Sequence, residues 1–555
     1  MPMDESRIRT KIAQASRVRS AIMLVALFLA FFVTACVLYH PALNAEMYYD
    51  SRAHILAKES VYAKGRVIEV LGTYPQRPMT ILSFYGNYLH AGMDPYWFRL
   101  TNLVMLAMTG VVITVLVSTI LGISPHGERW QHTGASIVAG LFFVIHPILT
   151  WGTLYIWQRA ALLACMFYVS SLTVYLATRS GRFSSKAVGY AICLLLFEAA
   201  LFSKENSISL PAVLILAEVA FFSPTWSSLF KRGSIFAVVA VLSVLGLSFL
   251  EHPYGDAKMT GGVLAMVSHY YESAGLTFKQ VLLTQSRMFF FYLSLIVAPI
   301  PSRAQLVLPQ VISSSLTDPP TTALAVLGVA ALLPVSLALL WMRPVWGFGM
   351  LFYTVALLPE SLLVPEYAYF GYRPIIPMVG ILILAADCVP RTFKAAAHWR
   401  TAGRAACMVL GICGGVYVGL IAGETFSQAE LWRDRIAFWQ DVVSRFPDRE
   451  HGVERTTRVH ALYNLGSSFL EKQRVPEALE AFQEACRIGP DHAESNNAAG
   501  VILHRLGRLS EAENHLRRAV ELKPNDSRAR SNLKRLLQET GSSTEMTRER
   551  GRDTK

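Results

Sequence analysis

Apolar runs about as long as a bilayer is thick recur along most of this chain, and they leave few folds open to it. A membrane-spanning helix needs about 17 to 25 predominantly apolar residues. Segments of that kind fall near 21–39, 98–122, 133–147, 156–177, 187–203, 207–222, 234–250, 321–342, 345–360, 374–390 and 405–422. Backbone polar groups in hydrocarbon must find partners inside their own segment, so each run reads as a helix. The sequence therefore predicts an all-α, polytopic domain over 21–425 with about eleven spans. With 53% hydrophobic and only 16% charged residues in 555, an ordinary soluble enzyme is excluded.

The formal net charge of +12 invites a nucleic-acid reading, but the cations gather in the short connections between apolar runs, where they orient helices. No nucleic-acid partner is expected. Arg7, Arg9, Lys11, Arg17 and Arg19 precede the first run, which is long enough to span and is read as an uncleaved helix with residues 1–20 in the cytoplasm. Arg179, Arg182 and Lys186, then Lys231 and Arg232, Arg343, and finally Arg391, Lys394, Arg400 and Arg404 fall on the same side if the number of spans is odd. Two long connections, 40–97 and 251–320, then lie on the outer face. The stretch 286–301 within the second is read as a re-entrant or interfacial helix, because counting it as a span would invert the later basic loops. The seven cysteines show no CxxC pair and no ligand spacing, so neither a disulfide framework nor a zinc site is expected.

Beyond residue 425 the composition becomes that of a soluble domain. WRDRIAFWQDVV (432–443) has the pattern of an amphipathic helix. Gly466 and Gly500, Ala478 and Ala512, Ala485 and Ala519, and Pro490 and Pro524 each lie 34 apart. That period, with its small residues and closing proline, marks tetratricopeptide (TPR) helix pairs and predicts an α-solenoid over 426–540. Such arrays present a concave face to protein segments, and Asn464, Asn496 and Asn532 are the candidate protein-binding residues. Bracing the membrane domain or mediating oligomerisation is the alternative use. Residues 541–555 are polar and read as a disordered tail.

The chemistry-bearing candidates lie on the predicted outer face. AEMYYDSRAHI (45–55) follows the first span directly, and Asp50 is the candidate catalytic carboxylate. YPQRPMTILSFYGNYL offers Arg77, HPILTWGTLYIWQRAALL offers His146 and Arg159, and LFSKENS offers Lys204 and Glu205. LPESLLVPEYAYFGYRPIIP adds Glu360, Glu366 and Arg373. Any one of these cations fits a helix end whose charge reaches the interface. Converging on one surface with a carboxylate, they suit a phosphate-linked substrate whose acceptor hydroxyl must lose a proton. His146 is a second candidate for the base. Glu198 and Glu218 lie within predicted helices, where ionisable residues are either paired or functional. A divalent cation is compatible with carboxylates at an active site, but one or two of them do not define a metal site, and no metal ligands are assigned.

In their order along the chain, YYDSRAHI, QRPMTILSF, the His-Pro segment with WQRA, LFSKENSISLP, TQSRMFFFYL, LPESLLVP with YRPIIP, and the terminal repeats resemble the bacterial relatives of the transmembrane-and-TPR O-mannosyltransferases. These are members of the GT-C superfamily of polytopic glycosyltransferases. The resemblance implies transfer of a sugar from a polyprenyl-phosphate donor to an acceptor outside the cytoplasm. It places Asp50 at the first acidic position of the family's loop motif and makes Arg373 the match for the arginine before the late span. Ser51 stands where relatives commonly carry a second acidic residue, which leaves Asp50 to act alone or Glu46 to substitute. Ala161 likewise stands where relatives often have an acid, so the WQRA segment is given no catalytic role.

The expectation is thus an inverting glycosyltransferase acting on protein hydroxyls. Its donor phosphate would be held by Arg373 with Lys204, Arg77 and Arg159, and its TPR domain would present the acceptor protein. The expected setting is a bacterial inner membrane, with the TPR domain periplasmic. A noncatalytic membrane-anchored TPR scaffold for envelope protein assembly is the alternative. A lipid-linked sugar transporter would need polar residues through the whole membrane depth, and here they cluster toward one face.

Overall fold

A computed structural model describes residues 5–48, 50–124, 129–222, 275–300, 310–363, 369–397, 400–446 and 453–539, with isolated positions between 225 and 271. Every regular element among the described residues is helical. The chain divides after Arg433 into two compact units.

The first unit contains α1 (Glu5–Tyr39), α2 (Asp50–His54), α3 (Glu59–Ala63), α4 (Val67–Leu71), α5 (Pro78–Ala91), α6 (Pro95–Ile123), α7 (Arg129–Ile145) and α8 (Leu149–Thr153). It continues with α9 (Arg159–Arg179), α10 (Lys186–Leu201), α11 (Leu210–Phe222), α12 (Phe278–Val297), α13 (Thr321–Met342), α14 (Pro344–Leu363), α15 (Pro377–Ala397) and α16 (Arg400–Arg433). Ten of the eleven expected spans coincide with a helix; the eleventh, 234–250, lies outside the described residues. Among the described residues, eight helices are long and apolar enough to cross a membrane, which makes this an integral membrane protein.

The count differs from the expectation for physical reasons. Helix α10 has only 16 residues, the apolar part of α7 only Thr133–Ile145, and α15 carries Asp387, Arg391 and Lys394 in its second half. The segment expected to be a re-entrant or interfacial helix belongs to a continuous 20-residue helix, α12, long enough to span by length and composition and closed at its start by a Thr277–Gln280 capping box.

Polar contacts gather at the two ends of the bundle. At one end Arg182 donates to Thr119 (3.0 Å) near the end of α6, Arg179 pairs with Glu218 of α11, and Trp346 donates to Asp387 of α15 (2.8 Å). At the other, Asn102 near the start of α6 donates to the Thr153 carbonyl (2.7 Å), and Thr80 at the start of α5 donates to the Ser203 carbonyl (3.0 Å). The 17 residues from Asn102 to Thr119 set these layers about 25 Å apart at 1.5 Å per residue. Helices α14 and α15 approach through glycines: a Cβ on Gly349 would meet the Gly380 carbonyl at 2.7 Å, and one on Gly380 would meet the Gly349 carbonyl at 2.5 Å. This close backbone contact positions Glu360 at the far end of α14 and the turn that precedes α15.

The second unit holds α17 (Arg435–Arg445), α18 (Val453–Glu471), α19 (Val475–Ile488), α20 (Ala493–Arg505), α21 (Leu509–Leu522) and α22 (Ser527–Glu539). The 34-residue period has a packing cause. Gly466 and Gly500 sit against Phe482 and Leu516, where a Cβ would come within 2.8 and 2.7 Å, and Ala478, Ala485, Ala512 and Ala519 are fully buried. Small residues at these positions let successive helices interlock as TPR pairs. The candidate tail, 541–555, lies outside the described residues.

Candidate functional site

The loop after α1 is held in place by an arginine that the sequence does not advertise. Arg99, near the start of α6 and fully buried, donates to the carbonyls of Leu154 (3.1 Å), Leu43 (3.3 Å), Ala45 and Glu46 (2.6 Å). The Glu46 side chain itself is exposed. Tyr48, buried, donates from its hydroxyl to the Trp432 carbonyl (2.8 Å) and stacks on that indole. Directly after Asp50, the Ser51 hydroxyl accepts from the Trp157 N–H (3.1 Å) and is buried. His54, one turn further, stacks on Trp157 at 4.5 Å between ring centroids. The backbone of α2 is thereby pinned on both sides of Asp50; the Asp50 side chain lies outside the described residues. Ser51 works here as a docking hydroxyl.

A chain of contacts leads from α2 to the candidate cations. The His54 ring meets Tyr74 edge-on at 5.7 Å, and the Arg77 guanidinium lies 5.5 Å from the Tyr74 ring centroid. Arg77 grips Glu205 with two hydrogen bonds, 3.0 and 2.6 Å, in the planar fork geometry that arginine offers a carboxylate. Lys204, next to Glu205 and buried, pairs with buried Glu360 and lies 4.2 Å from the Tyr372 ring centroid. Asn206 donates to the same Glu360 carboxylate (3.3 Å). Arg373, also buried, stacks beside Phe370 at 5.2 Å and hydrogen-bonds the Tyr292 hydroxyl, which also accepts from the Phe370 N–H (3.1 Å). Three cations and two carboxylates thus meet at one end of the bundle, a formal balance of +1 before Asp50 is counted. Glu366 lies outside the described residues.

The remaining candidates sit elsewhere. Arg159 is fully buried and donates to Asn102 (2.5 Å), the Ser83 carbonyl (3.0 Å) and the Phe98 carbonyl (2.7 Å), holding α5 and α6 to α9. His146 is fully buried, with Nε2 against the Ile296 carbonyl (3.1 Å) and Nδ1 accepting from the Ile148 N–H (3.3 Å). Those partners make it a neutral helix-end tie. Glu218 is engaged by Arg179 and the Tyr175 hydroxyl (2.6 Å) at the opposite end of the bundle. In the second unit Asn464 donates to the His460 carbonyl (2.8 Å) and Asn532 to Asn497 (3.0 Å), while Asn496 is buried against the His492 carbonyl (3.0 Å). Among the described residues no three His, Cys, Asp or Glu side chains converge to hold a metal ion.

Sequence reading missed Arg99, Tyr292 and Tyr372. The signal for Arg99 was a charge inside WFRLTN at the start of an otherwise apolar helix, which reads equally well as a side chain reaching the interface.

Fold and site together define a polytopic helical membrane protein with a polar, cation-rich site at one end of its bundle and a separate TPR unit. The tetratricopeptide repeat family is matched over residues 463–527. The chain is similar to the protein O-mannosyl-transferase Tmtc1 of Drosophila melanogaster, 31% identical over 188 residues, covering 32% of this chain and 20% of that protein. It is also similar to Tmtc2 of Drosophila melanogaster, 29% identical over 202 residues (33% and 21%), and to TMTC3 of Homo sapiens, 26% identical over 143 residues (26% and 14%). The chain thus spans at most about a fifth of the length of these curated relatives.

Proposed function

We propose that this chain is a membrane glycosyltransferase of GT-C type that moves a sugar from a polyprenyl-phosphate donor to a protein hydroxyl outside the cytoplasm. The observation that carries the reading is the alignment of Arg77, Lys204 and Arg373 on the bundle end to which α2 is docked. Likeness to proteins named as O-mannosyl-transferases supports it.

In this reading the Asp50 carboxylate takes the proton of the acceptor hydroxyl as its oxygen bonds to the anomeric carbon. The bond from that carbon to the lipid phosphate oxygen breaks, and the phosphate departs with the electron pair. Arg77, Lys204 and Arg373 stabilise the charge gathering on the phosphate, the kind of preorganised electrostatic help that carries much of the rate in such reactions. Glu205 and Glu360 hold two of those cations in position before the donor arrives. Arg99, Arg159 and His146 act by positioning. The TPR unit binds the acceptor protein. In this reading the end bearing Arg179, Arg182, Arg343, Arg391 and Lys394 is the cytoplasmic one, a charge bias that supports a site on the outer face of a bacterial inner membrane.

The test is transfer by the purified full chain from a panel of polyprenyl-phosphate and polyprenyl-diphosphate sugars to an envelope protein extract, with Asp50→Asn alongside. Transfer that is lost in the variant supports the reading. Full transfer by Asp50→Asn refutes the assigned base. Absence of transfer with every donor, together with capture of envelope proteins, favours the scaffold alternative.

A further inference from the structure

A second feature of the membrane unit takes no part in the proposed transfer. A cavity of about 870 Å³ lies between α7, the end of α12, α15 and α16. Along α15 its wall runs from Ile381 to Lys394, 13 residues and so about 20 Å, which exceeds half of a hydrocarbon layer about 30 Å thick. The lining is apolar with one charged exception, Lys394, at the end away from the site. Tyr417 contributes its ring, because its hydroxyl donates to the Val297 carbonyl. The trough is open at its side: Val138 and Val389 of its lining are 59% and 52% exposed, and an added Cβ on Gly414 would meet nothing within 4 Å.

The charge at its mouth identifies an occupant. From Cys388 to Gly423 the sequence carries Arg391, Lys394, Arg400 and Arg404 and no acidic residue. Arg391 is claimed by Asp387, and Lys394 is the cation that lines the trough where it ends. An apolar channel that starts at a cationic rim and runs inward along a helix matches an amphiphile with an anionic head and a long hydrocarbon chain. We infer that this trough binds an anionic glycerophospholipid of the adjacent leaflet, with its phosphate at Lys394 and one acyl chain lying along α15 and α16. Its head lies at the opposite end of the bundle from Arg77, Lys204 and Arg373, so this lipid is not the sugar donor.

Native mass spectrometry of the full chain in a nonionic detergent, titrated with dioleoylphosphatidylglycerol or dioleoylphosphatidylcholine, reads the occupancy directly. Wild type is expected to prefer phosphatidylglycerol. Lys394→Gln removes one juxtamembrane cation and is expected to lower that preference about fivefold. Val389→Trp fills an open part of the trough and is expected to abolish tight binding of both lipids, while leaving melting in detergent alone unchanged because the position is exposed. Equal binding of the two lipids by wild type overturns the inference. So does a preference that survives both substitutions, displacement of the lipid by a polyprenyl phosphate at equal concentration, or a dimer that Val389→Trp dissociates.

Discussion

The Lys204–Glu360 pair separates what the site contributes to folding from what it contributes to chemistry. Both side chains are nearly inaccessible, 5% and 9% exposed, and the ammonium also lies against the Tyr372 ring. Removing one member leaves a buried charge without its partner, which costs about 3–5 kcal/mol, whereas replacing both with neutral groups of similar size is close to neutral. Lys204→Met and Glu360→Gln are each expected to lose that amount, and the double variant to lie within about 1 kcal/mol of wild type, a strongly non-additive cycle. At roughly 2 °C per kcal/mol for a large chain, each single variant melts about 6–10 °C below wild type and the double variant within a few degrees of it. Melting of the full chain in detergent, followed by the transfer assay on the same samples, distinguishes the roles. The double variant should be folded and inactive, because the cation facing the donor phosphate is gone. A double variant as unstable as the sum of the singles refutes the pairing argument; one that transfers at the wild-type rate refutes Lys204 as a phosphate ligand.

Other consequences follow from particular contacts. Gly349→Val places methyl groups against the α15 backbone, which cannot yield as a side chain would; a loss of at least 1–3 kcal/mol is expected, read as a lower melting temperature and lost transfer. In the TPR unit His492 caps α20 by accepting from the Ser495 N–H (3.2 Å), and burial, then the nearby His460, pushes its pKa down to about 4. An unfolded histidine takes up its proton near pH 6.5 while the folded one does not, so the stability of this segment is full above pH 6.5 and declines by up to about 3 kcal/mol as pH falls toward 4. The protection factors of amides across 475–505 in the full chain, that is exchange relative to the intrinsic rate at each pH, should fall over that window and be flat between pH 7 and 8. Arg99→Lys keeps the charge but offers three donors on a shorter reach; exchange at 43–48 should rise and transfer should fall, and unchanged exchange there would refute the anchoring role.

Local features were legible and distant pairings were not. Helix length and hydropathy are properties of a contiguous stretch, so ten of the expected spans coincide with helices. The repeat was legible because Gly466 and Gly500 meet equivalent partners, each sixteen residues on. The ion pairs of the site join residues 128 and 156 positions apart, and a single sequence carries no trace of which carboxylate meets which cation. Ser51 shows the same limit in reverse. Its place beside Asp50 suggested a missing acid, whereas its hydroxyl ties α2 to the Trp157 backbone.

That tie belongs to a general solution of one problem. A site at membrane depth needs irregular chain to carry it, and irregular chain leaves carbonyls that lipid cannot satisfy. The bundle has such breaks after α1, between α7 and α9, and between α10 and α11. Arg99 answers four carbonyls from the first two of them, and Arg159 ties a helical carbonyl of α5 and one of α6 to the start of α9. The fanned donors of a guanidinium let one side chain serve several carbonyls at once. Carbonyl dipoles in turn stabilise the buried charge without a carboxylate, so these arginines add rigidity without adding an anion that would repel a phosphate. The carboxylates are reserved for Arg77 and Lys204, whereas Arg373 meets the Phe370 ring and the Tyr292 hydroxyl, so in the proposed reading it is the cation best placed to receive an anion. Under the proposed reading the work is thus divided: Arg99 and Arg159, bound to carbonyls, hold the backbone, while the acid-paired Arg77 and Lys204, together with Arg373, face the donor phosphate.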